Sequence, residues 1–241
     1  MKVLIVEDHP VFREIIQRIL SSWFAQATVV SAASGALAVN LLQSQVFTHL
    51  LLDLQIPDID GFAIADFAVK VAPAIRIITL TSQCDAFSVY QAEKRHVSGF
   101  VDKRVSTAFN FHQAIANVEA GITYFSPSFQ QLKLERTMDP ASFDKVLSDR
   151  EIEILALIAL PCSDGEVAIE LGISQATAEK HRFNMLRKLG LSTTLELVRF
   201  ARARGIVRSL ASKQTADAAR KNNSTSVPEI VNRVYATGFG R

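Results

Sequence analysis

The sequence predicts an α/β protein, a doubly wound five-stranded parallel sheet followed by a small all-α unit. Residues 1–121 alternate short apolar runs with longer amphipathic stretches, a pattern typical of β-α-β units. The short runs are apolar throughout, as expected for strands buried on both faces of a parallel sheet. Residues 147–208 contain helical periodicity and capping signals without a strand candidate, which predicts a separate helical unit.

The elements follow in order along the chain. Apolar runs predict strands at 2–6, 28–31, 49–52, 75–79 and 99–101. Amphipathic patterns between and after them predict helices at 11–23, 35–43, 61–71, 86–95 and 107–120. In such a fold, ligands bind beyond the carboxyl ends of the strands, where the strand order reverses. We therefore look for a site in the loops that follow the strands.

The second half of the chain divides into a linker, a helical unit and a tail. We expect a linker with one short helix at residues 122–146. We expect a flexible tail at residues 209–241, because large apolar residues are scarce there. Capping boxes begin at Ser148 and Ser163, and Ser174 caps a third helix. The tight turn between the second and third of these helices predicts a helix-turn-helix.

Composition limits the classes of protein. The 241 residues are 49% hydrophobic, enough for two small cores. No apolar stretch reaches the roughly 20 residues of a membrane span, and the first apolar run meets Glu7 too early for a signal peptide. Cys84 and Cys162 stand in no metal or redox spacing. We expect a cytoplasmic protein with no membrane partner.

Charge is divided unevenly between the two halves. Residues 180–241 hold thirteen Lys and Arg but three Asp and Glu, a net charge of +10, whereas the whole chain carries +2. Residues 1–179 are therefore acidic. This division predicts an anionic partner for the second half only, although a solvated basic helix and tail would give the same composition.

Five polar residues stand where the predicted strands end. Glu7 and Asp8 follow the first strand, Asp53 the third, Thr81 the fourth and Lys103 the fifth. Three converging carboxylates need a cation, and oxygen ligands with water favour Mg²⁺. A hydroxyl and an ammonium beside them suit phosphoryl transfer. Singly, each residue has an ordinary alternative: the acids could cap helices, and the lysine could be solvated.

The motifs VEDHP, LLLDLQIPDIDG, LTS and GFVDK resemble those of two-component receiver domains, which have a flavodoxin-like fold. The resemblance covers 1–121 and implies that a histidine kinase phosphorylates Asp53. It further implies that Thr81 bonds the phosphoryl group and that Lys103 pairs with it. Phe100 stands at the family's switch position, where it could equally be a core residue.

The same resemblance implies a magnesium site. Glu7, Asp8 and Asp53 would hold the Mg²⁺, assisted by the backbone carbonyl of Gln55. Apart from its own phosphoryl transfer and dephosphorylation, the chain is not expected to be an enzyme, because 147–208 lacks clustered catalytic groups, metal spacing and a phosphate-binding loop.

The third predicted helix of the second half, 175–189, interleaves basic and apolar residues. Its basic side chains could neutralise phosphates, and Arg182 and Asn184 have suitable chemistry for base edges. The candidate DNA contacts are Lys180, Arg182, Asn184, Arg187 and Lys188. With LSDREIEIL, the motif HRFNMLRKLGL resembles the LuxR-type helix-turn-helix of NarL/FixJ response regulators. In place of two lysines that are common in that family, this chain has Gly165 and Glu179.

Together the two resemblances imply a transcriptional response regulator, in which phosphorylation of Asp53 controls binding to double-stranded DNA. The helix at 193–203 resembles the family's dimerisation helix and implies a homodimer when active. The alternative is a regulator that acts through protein or small-molecule binding, independently of phosphorylation or with weak DNA contact. Glu179 and Gly165 motivate that alternative.

Overall fold

The computed structural model describes residues 1–95, 97–160 and 162–206. Its contacts form two compact units, one of Met1–Cys84 with Gln91–Phe129 and the other of Asp85–Tyr90 with 130–206. The predicted tail at 209–241 lies outside the described residues. Among the described helices, none has the length and apolar character that crossing a bilayer requires.

The first unit contains a parallel sheet in the order β2-β1-β3-β4-β5-β6. The strands are β1 Lys2–Val6, β2 Thr28–Ala32, β3 His49–Asp53, β4 Arg76–Thr81, β5 Gly99–Asp102 and β6 Tyr124–Phe125. The helices that follow the first five strands are α1 Pro10–Trp23, α2 Gly35–Ser44, α3 Gly61–Val71, α4 Ala86–Lys94 and α5 Ala108–Glu119. The doubly wound fold is thereby confirmed.

The predicted number of strands is wrong by one. The sixth strand, β6, has two residues and pairs with Gly99 and Phe100 of β5. Two residues are too few to display an alternation or an apolar run, so the sequence pattern does not reveal them. β6 lies within 122–146, where the chain also forms α6 Pro127–Met138 and α7 Phe143–Val146.

The centre of the sheet explains why the acidic residues meet. Every residue of β3 is buried, as is β1 from Val3 onward. β1 pairs with β2 on one side and β3 on the other, so the strand order reverses between β1 and β3. Their carboxyl ends therefore open a crevice, which is the usual ligand position in this architecture.

The second unit is helical. Its last four helices are α8 Asp149–Ala159, α9 Asp164–Leu171, α10 Gln175–Leu189 and α11 Thr194–Ala203. The capping boxes predicted at Ser148 and Ser163 are both present. Gly172 ends α9 with φ 62°, a left-handed conformation that glycine adopts without steric cost. The chain then turns tightly into α10 and forms the predicted helix-turn-helix.

Candidate functional site

Three carboxylates converge at the crevice between β1 and β3. Each of Glu7, Asp8 and Asp53 offers one oxygen, and these oxygens lie within 4.8 Å of one another. Glu7 and Asp53 are almost fully buried. Two nearly dry carboxylates beside a third repel one another strongly unless cations neutralise them.

Lys103 supplies one such cation from the loop after β5. Its Nζ donates to Glu7 Oε2 at 2.6 Å and to Asp53 Oδ2 at 2.7 Å. The ammonium also lies 4.7 Å from the ring centroid of Phe12, a cation-π distance. The lysine side chain is 8% exposed, so this is a buried interaction rather than a surface ion pair. The structure thus brings together the predicted residues of strands one, three and five.

The charge balance remains in favour of the carboxylates. Burial raises the pKa of Glu7, and the negative charge of Asp53 adds to that effect, while the hydrogen bond from Lys103 opposes it. One ammonium faces three carboxylates. The site therefore still attracts a second cation, and its oxygen atoms suit a small cation that prefers oxygen ligands.

Asp53 lies at the wall of an open cleft of about 490 Å³. Its Oδ1 accepts a hydrogen bond from the backbone N–H of Gln55 at 2.9 Å, which fixes the orientation of the carboxylate. Gln55, Ser82 and Arg104 also line the cleft. A substrate group can therefore reach Asp53 from solvent, although the residue itself is only 4% exposed.

The loop that carries Asp53 folds back against the first residue of α3, Gly61. A Cβ at this position would lie 2.6 Å from Leu54 Cα and 2.9 Å from the carbonyl oxygen of Asp53. Both neighbours are backbone atoms that cannot move without displacing the loop. The absence of a side chain at Gly61 therefore permits the close approach that positions Asp53.

Thr81 and Phe100 lie on the neighbouring strands β4 and β5. Thr81 Oγ1 accepts from the N–H of Gln83 at 3.0 Å and lies 3.2 Å from the carbonyl oxygen of Gln83, to which it donates. Phe100 is fully buried, and its ring centroid lies 4.9 Å from that of Phe129. Neither side chain is among those that line the cleft.

Two of the predicted DNA contacts on α10 form ion pairs inside the helical unit. Arg182 binds Asp164 of α9 through Nε and Nη2, at distances down to 2.7 Å, and this pairing raises the pKa of the guanidinium. Lys188 Nζ donates to Glu151 Oε2 of α8 at 2.7 Å. These contacts tie α10 to the two preceding helices. Sequence periodicity alone does not reveal such partners.

The opposite face of α10 is open. Lys180 and Arg187 are exposed, Asn184 is half-buried, and Phe183 is 65% exposed. The side chains of Lys180 and Arg187 make no hydrogen bond or ion pair with any residue among 1–95, 97–160 and 162–206. This surface combines free cations with an aromatic side chain, and Phe183 is the one member that the sequence analysis did not select.

Family models match both halves of the chain. A model of the response regulator receiver domain matches residues 3–116, and a model of bacterial regulatory proteins of the luxR family matches residues 145–201. The first match contains the acidic cleft. The second contains all of α8, α9 and α10.

Individual relatives align over nearly their whole length. The transcriptional regulatory protein MctR of Rhizobium johnstonii is 31% identical over 86% of this chain and 95% of its own. The response regulator protein VraR of Staphylococcus aureus is 30% identical over 83% of this chain and 96% of its own. A solved complex of the two-component response regulator RcsB with DNA is 25% identical, covers 84% of this chain and 98% of its own, and gives a TM-score of 0.57.

Proposed function

The chain belongs to the bacterial response regulators that join a receiver domain to a luxR-family DNA-binding domain, and from that premise we propose that phosphorylation of Asp53 controls its binding to DNA. The comparisons support a transcription regulator, rather than the alternative that acts chiefly through protein or small-molecule binding. The observation that carries the proposal is the ion-paired position of Asp53 at a solvent-open cleft.

Asp53 is the proposed phosphoacceptor. A carboxylate oxygen attacks the phosphorus of a phosphohistidine on the kinase, the P–N bond breaks, and an acyl phosphate forms as the imidazole leaves. The Gln55 N–H holds the carboxylate in position, and the Lys103 ammonium stands ready to bond the new phosphoryl oxygens. Later attack of water on phosphorus restores Asp53 and releases phosphate, which makes the switch reversible.

The donor set around Asp53 fits Mg²⁺. We propose that Glu7, Asp8 and Asp53 hold the ion together with the backbone carbonyl of Gln55, because hard oxygen donors and surplus negative charge meet there. When bound, Mg²⁺ neutralises charge on the transferring phosphoryl group. Lys103 would then exchange part of its contact with Glu7 for contact with phosphoryl oxygens.

Thr81 and Phe100 form the proposed relay. Thr81 gives up its local hydrogen bonds to Gln83 and donates to the phosphoryl group, and the space that it leaves admits a different packing of the Phe100 ring. Because Phe100 contacts Phe129 in α6, a change at the phosphorylation site can reach the segment that leads to the helical domain. We propose domains at 1–121 and 147–208, joined by 122–146.

The helical domain binds double-stranded DNA through α10 in this proposal, and a dimer reads paired half-sites. Lys180 and Arg187 contact phosphates, and Asn184 lies near the same surface. Arg182 and Lys188 act chiefly by holding α10 against α9 and α8, and can reach DNA only if they release their acidic partners.

The proposal is tested by phosphorylating the full chain with acetyl phosphate and Mg²⁺ and measuring both phosphate incorporation and DNA affinity. Wild type should incorporate phosphate and bind tighter to duplexes that it selects from a random library. Asp53→Asn should do neither. Asp58→Asn is the matched control, because Asp58 lies nearby and accepts from Gly35 and Ala36 N–H at the start of α2. Labelling of Asp53→Asn would assign the phosphate to another residue.

A further inference from the structure

Phe183 occupies the centre of the open face of α10. Lys180 precedes it by three residues and Arg187 follows by four, so the three side chains lie on one side of the helix. Ala178 and Met185 are buried on the opposite side. A large apolar side chain that is 65% exposed therefore points away from the core of its own domain, between two exposed cations.

This exposure is not explained by packing within the helical domain. Phe183 forms no aromatic contact with the described residues, and it is not part of the core that surrounds Met185. Removing a phenyl ring from water is favourable in proportion to the apolar area that is buried. The Phe183 ring is therefore left without an apolar contact, which a binding partner can supply.

The chemistry of the face selects DNA as that partner. Lys180 and Arg187 flank Phe183 and attract a polyanion. The exposed Glu179, four residues before Phe183, lies on the same side and accepts a hydrogen bond from Gln175 at 3.0 Å. With two cations and one acid the face stays positive, so an isologous contact between two copies of it would oppose like charges. The phenyl ring has no donor or acceptor, so it can recognise neither phosphate nor the polar base edges. In the major groove, the apolar group available to it is the 5-methyl of thymine.

We infer that Phe183 is a specificity-determining residue that recognises thymine through its 5-methyl group. This inference rests on the proposed function and deepens it, since it names the base that one residue of α10 reads. Lys180 and Arg187 provide affinity without sequence preference, and Phe183 adds discrimination at one position of each half-site.

The test replaces single thymines by deoxyuridine, which keeps the base pair and removes the methyl. The acetyl-phosphate-treated full chain first selects its site from a random duplex library, and each thymine of that site is then replaced in turn. Wild type should lose about three- to tenfold in affinity at one thymine per half-site, the magnitude expected for one lost methyl contact. Phe183→Ala should bind the thymine and deoxyuridine duplexes equally.

Two further variants separate this role from others. Phe183→Leu keeps an apolar side chain and should retain part of the discrimination. Lys180→Ala should weaken binding to all duplexes and reduce the salt dependence by about one phosphate contact, yet remain sensitive to the same deoxyuridine.

Several outcomes overturn the inference. Insensitivity of wild type to every deoxyuridine excludes a methyl contact, and unchanged sensitivity in Phe183→Ala assigns the contact to another residue. In both cases the DNA-binding function stands. Loss of all DNA binding by phosphorylated wild type would overturn the proposed function, and this inference with it. A circular dichroism spectrum equal to that of wild type verifies that each variant is folded.

Discussion

Lys103 illustrates how much a single side chain can contribute in a buried polar site. Its ammonium neutralises part of the charge of two carboxylates that are 2% and 6% exposed. Removing one partner of a buried ion pair leaves an uncompensated charge and costs about 3–5 kcal/mol. The exposed pair between Arg18 and Glu14, with side chains 79% and 60% exposed, offers a natural comparison, since such pairs contribute about 1 kcal/mol or less.

We predict that Lys103→Met lowers the free energy of unfolding of the receiver domain by about 3 kcal/mol in EDTA. Arg18→Met should lower it by less than about 1 kcal/mol. Added Mg²⁺ should return part of the loss in Lys103→Met, because a divalent cation neutralises the same carboxylates. Urea unfolding monitored by the fluorescence of Trp23, the single tryptophan, measures all three values. Equal losses in the two variants would contradict the buried-pair argument.

Asp60 makes the free energy of unfolding depend on pH. It caps α3 by accepting from Ala63 N–H at 3.1 Å, and burial raises its pKa from 3.8 to about 6 although Arg95 opposes that shift. A raised folded-state pKa stabilises the protein below the unfolded pKa, and this stabilisation is lost as pH rises through about 6.

Asp60→Asn should therefore raise the free energy of unfolding by about 1–3 kcal/mol at pH 7.5, while retaining an oxygen that can cap α3. Near pH 4 the two proteins should be similarly stable, since Asp60 is then protonated in the folded state. Fluorescence-monitored unfolding at a series of pH values gives the two curves. If they remain parallel between pH 4 and 7.5, burial does not control this carboxyl.

The acidic cleft was largely predictable at the scale of residues, because strand ends in a parallel sheet share one edge, and Asp53 ends β3 while Lys103 directly follows β5. The orientation of Thr81 was not predictable, since its local bonds to Gln83 depend on loop geometry. The ion pair between Arg182 and Asp164 was not predictable either. The two residues are eighteen positions apart in sequence, and they meet only because α9 and α10 pack side by side. The exposure of Phe183 was predictable from the sequence. Ala178 and Met185 mark the inner face of the helix, and helical spacing places Phe183 on the outer face.

At the scale of elements, two capping boxes of the same design differ in what surrounds them. Glu151 accepts from Ser148 N–H in α8, is 4% exposed, and also binds Lys188 of α10. Glu166 accepts from Ser163 N–H in α9 and is exposed. Burial opposes the ionisation of Glu151, yet hydrogen bonds from Lys188 and Ser148 outweigh it and lower the pKa. The capping box of α8 therefore also links α8 to α10, whereas the capping box of α9 stabilises only α9.

We predict that Glu151→Gln costs about 1.5–3 kcal/mol, the range for hydrogen bonds to charged groups, and that Glu166→Gln costs clearly less, because its carboxylate is exposed to water. Glutamine keeps the capping geometry in both, so the difference isolates the contact with Lys188. Because the pKa of Glu151 is lowered, its contribution is lost as pH falls, and the two variants should converge in acid. Hydrogen exchange of the α8 and α10 amides measures the local stability. Equal protection at neutral pH would refute the prediction.

The elements themselves followed from periodicity, and most predicted boundaries agree within two residues because caps such as Ser163 and Ser174 mark them. β6 was missed for a different reason. Its two residues form a strand only because β5 offers a free edge, and an edge is a property of the folded sheet rather than of the local sequence.

For the whole molecule, the division of charge separates the two activities. Residues 180–241 carry a net charge of +10, whereas the whole chain carries +2. The attraction for DNA therefore lies in the second half, and the acidic cleft that we propose to hold Mg²⁺ lies in the first. In the proposed function, a single chain thereby binds two ligands of opposite charge. In the proposed mechanism, phosphorylation of the first half alters the assembly of the second.

We predict that acetyl phosphate with Mg²⁺ converts wild type from monomer to dimer, because paired half-sites require paired helix-turn-helix units. Sedimentation velocity of the full chain measures the change. Asp53→Asn should remain monomeric under the same conditions, and Asp58→Asn should respond as wild type does. A dimer that forms equally in Asp53→Asn would disconnect assembly from phosphorylation.

The close approach of backbone atoms to Gly61 has a consequence for how this chain can evolve. A single methyl at that position would collide with the backbone of Leu54 and Asp53, so every one of the other nineteen amino acids disturbs the loop that carries Asp53. Gly61 contributes no functional group to the proposed phosphoryl transfer, yet it should tolerate as little genetic variation as Asp53. In a library of random mutants selected for intact signalling, codons for glycine should be retained there.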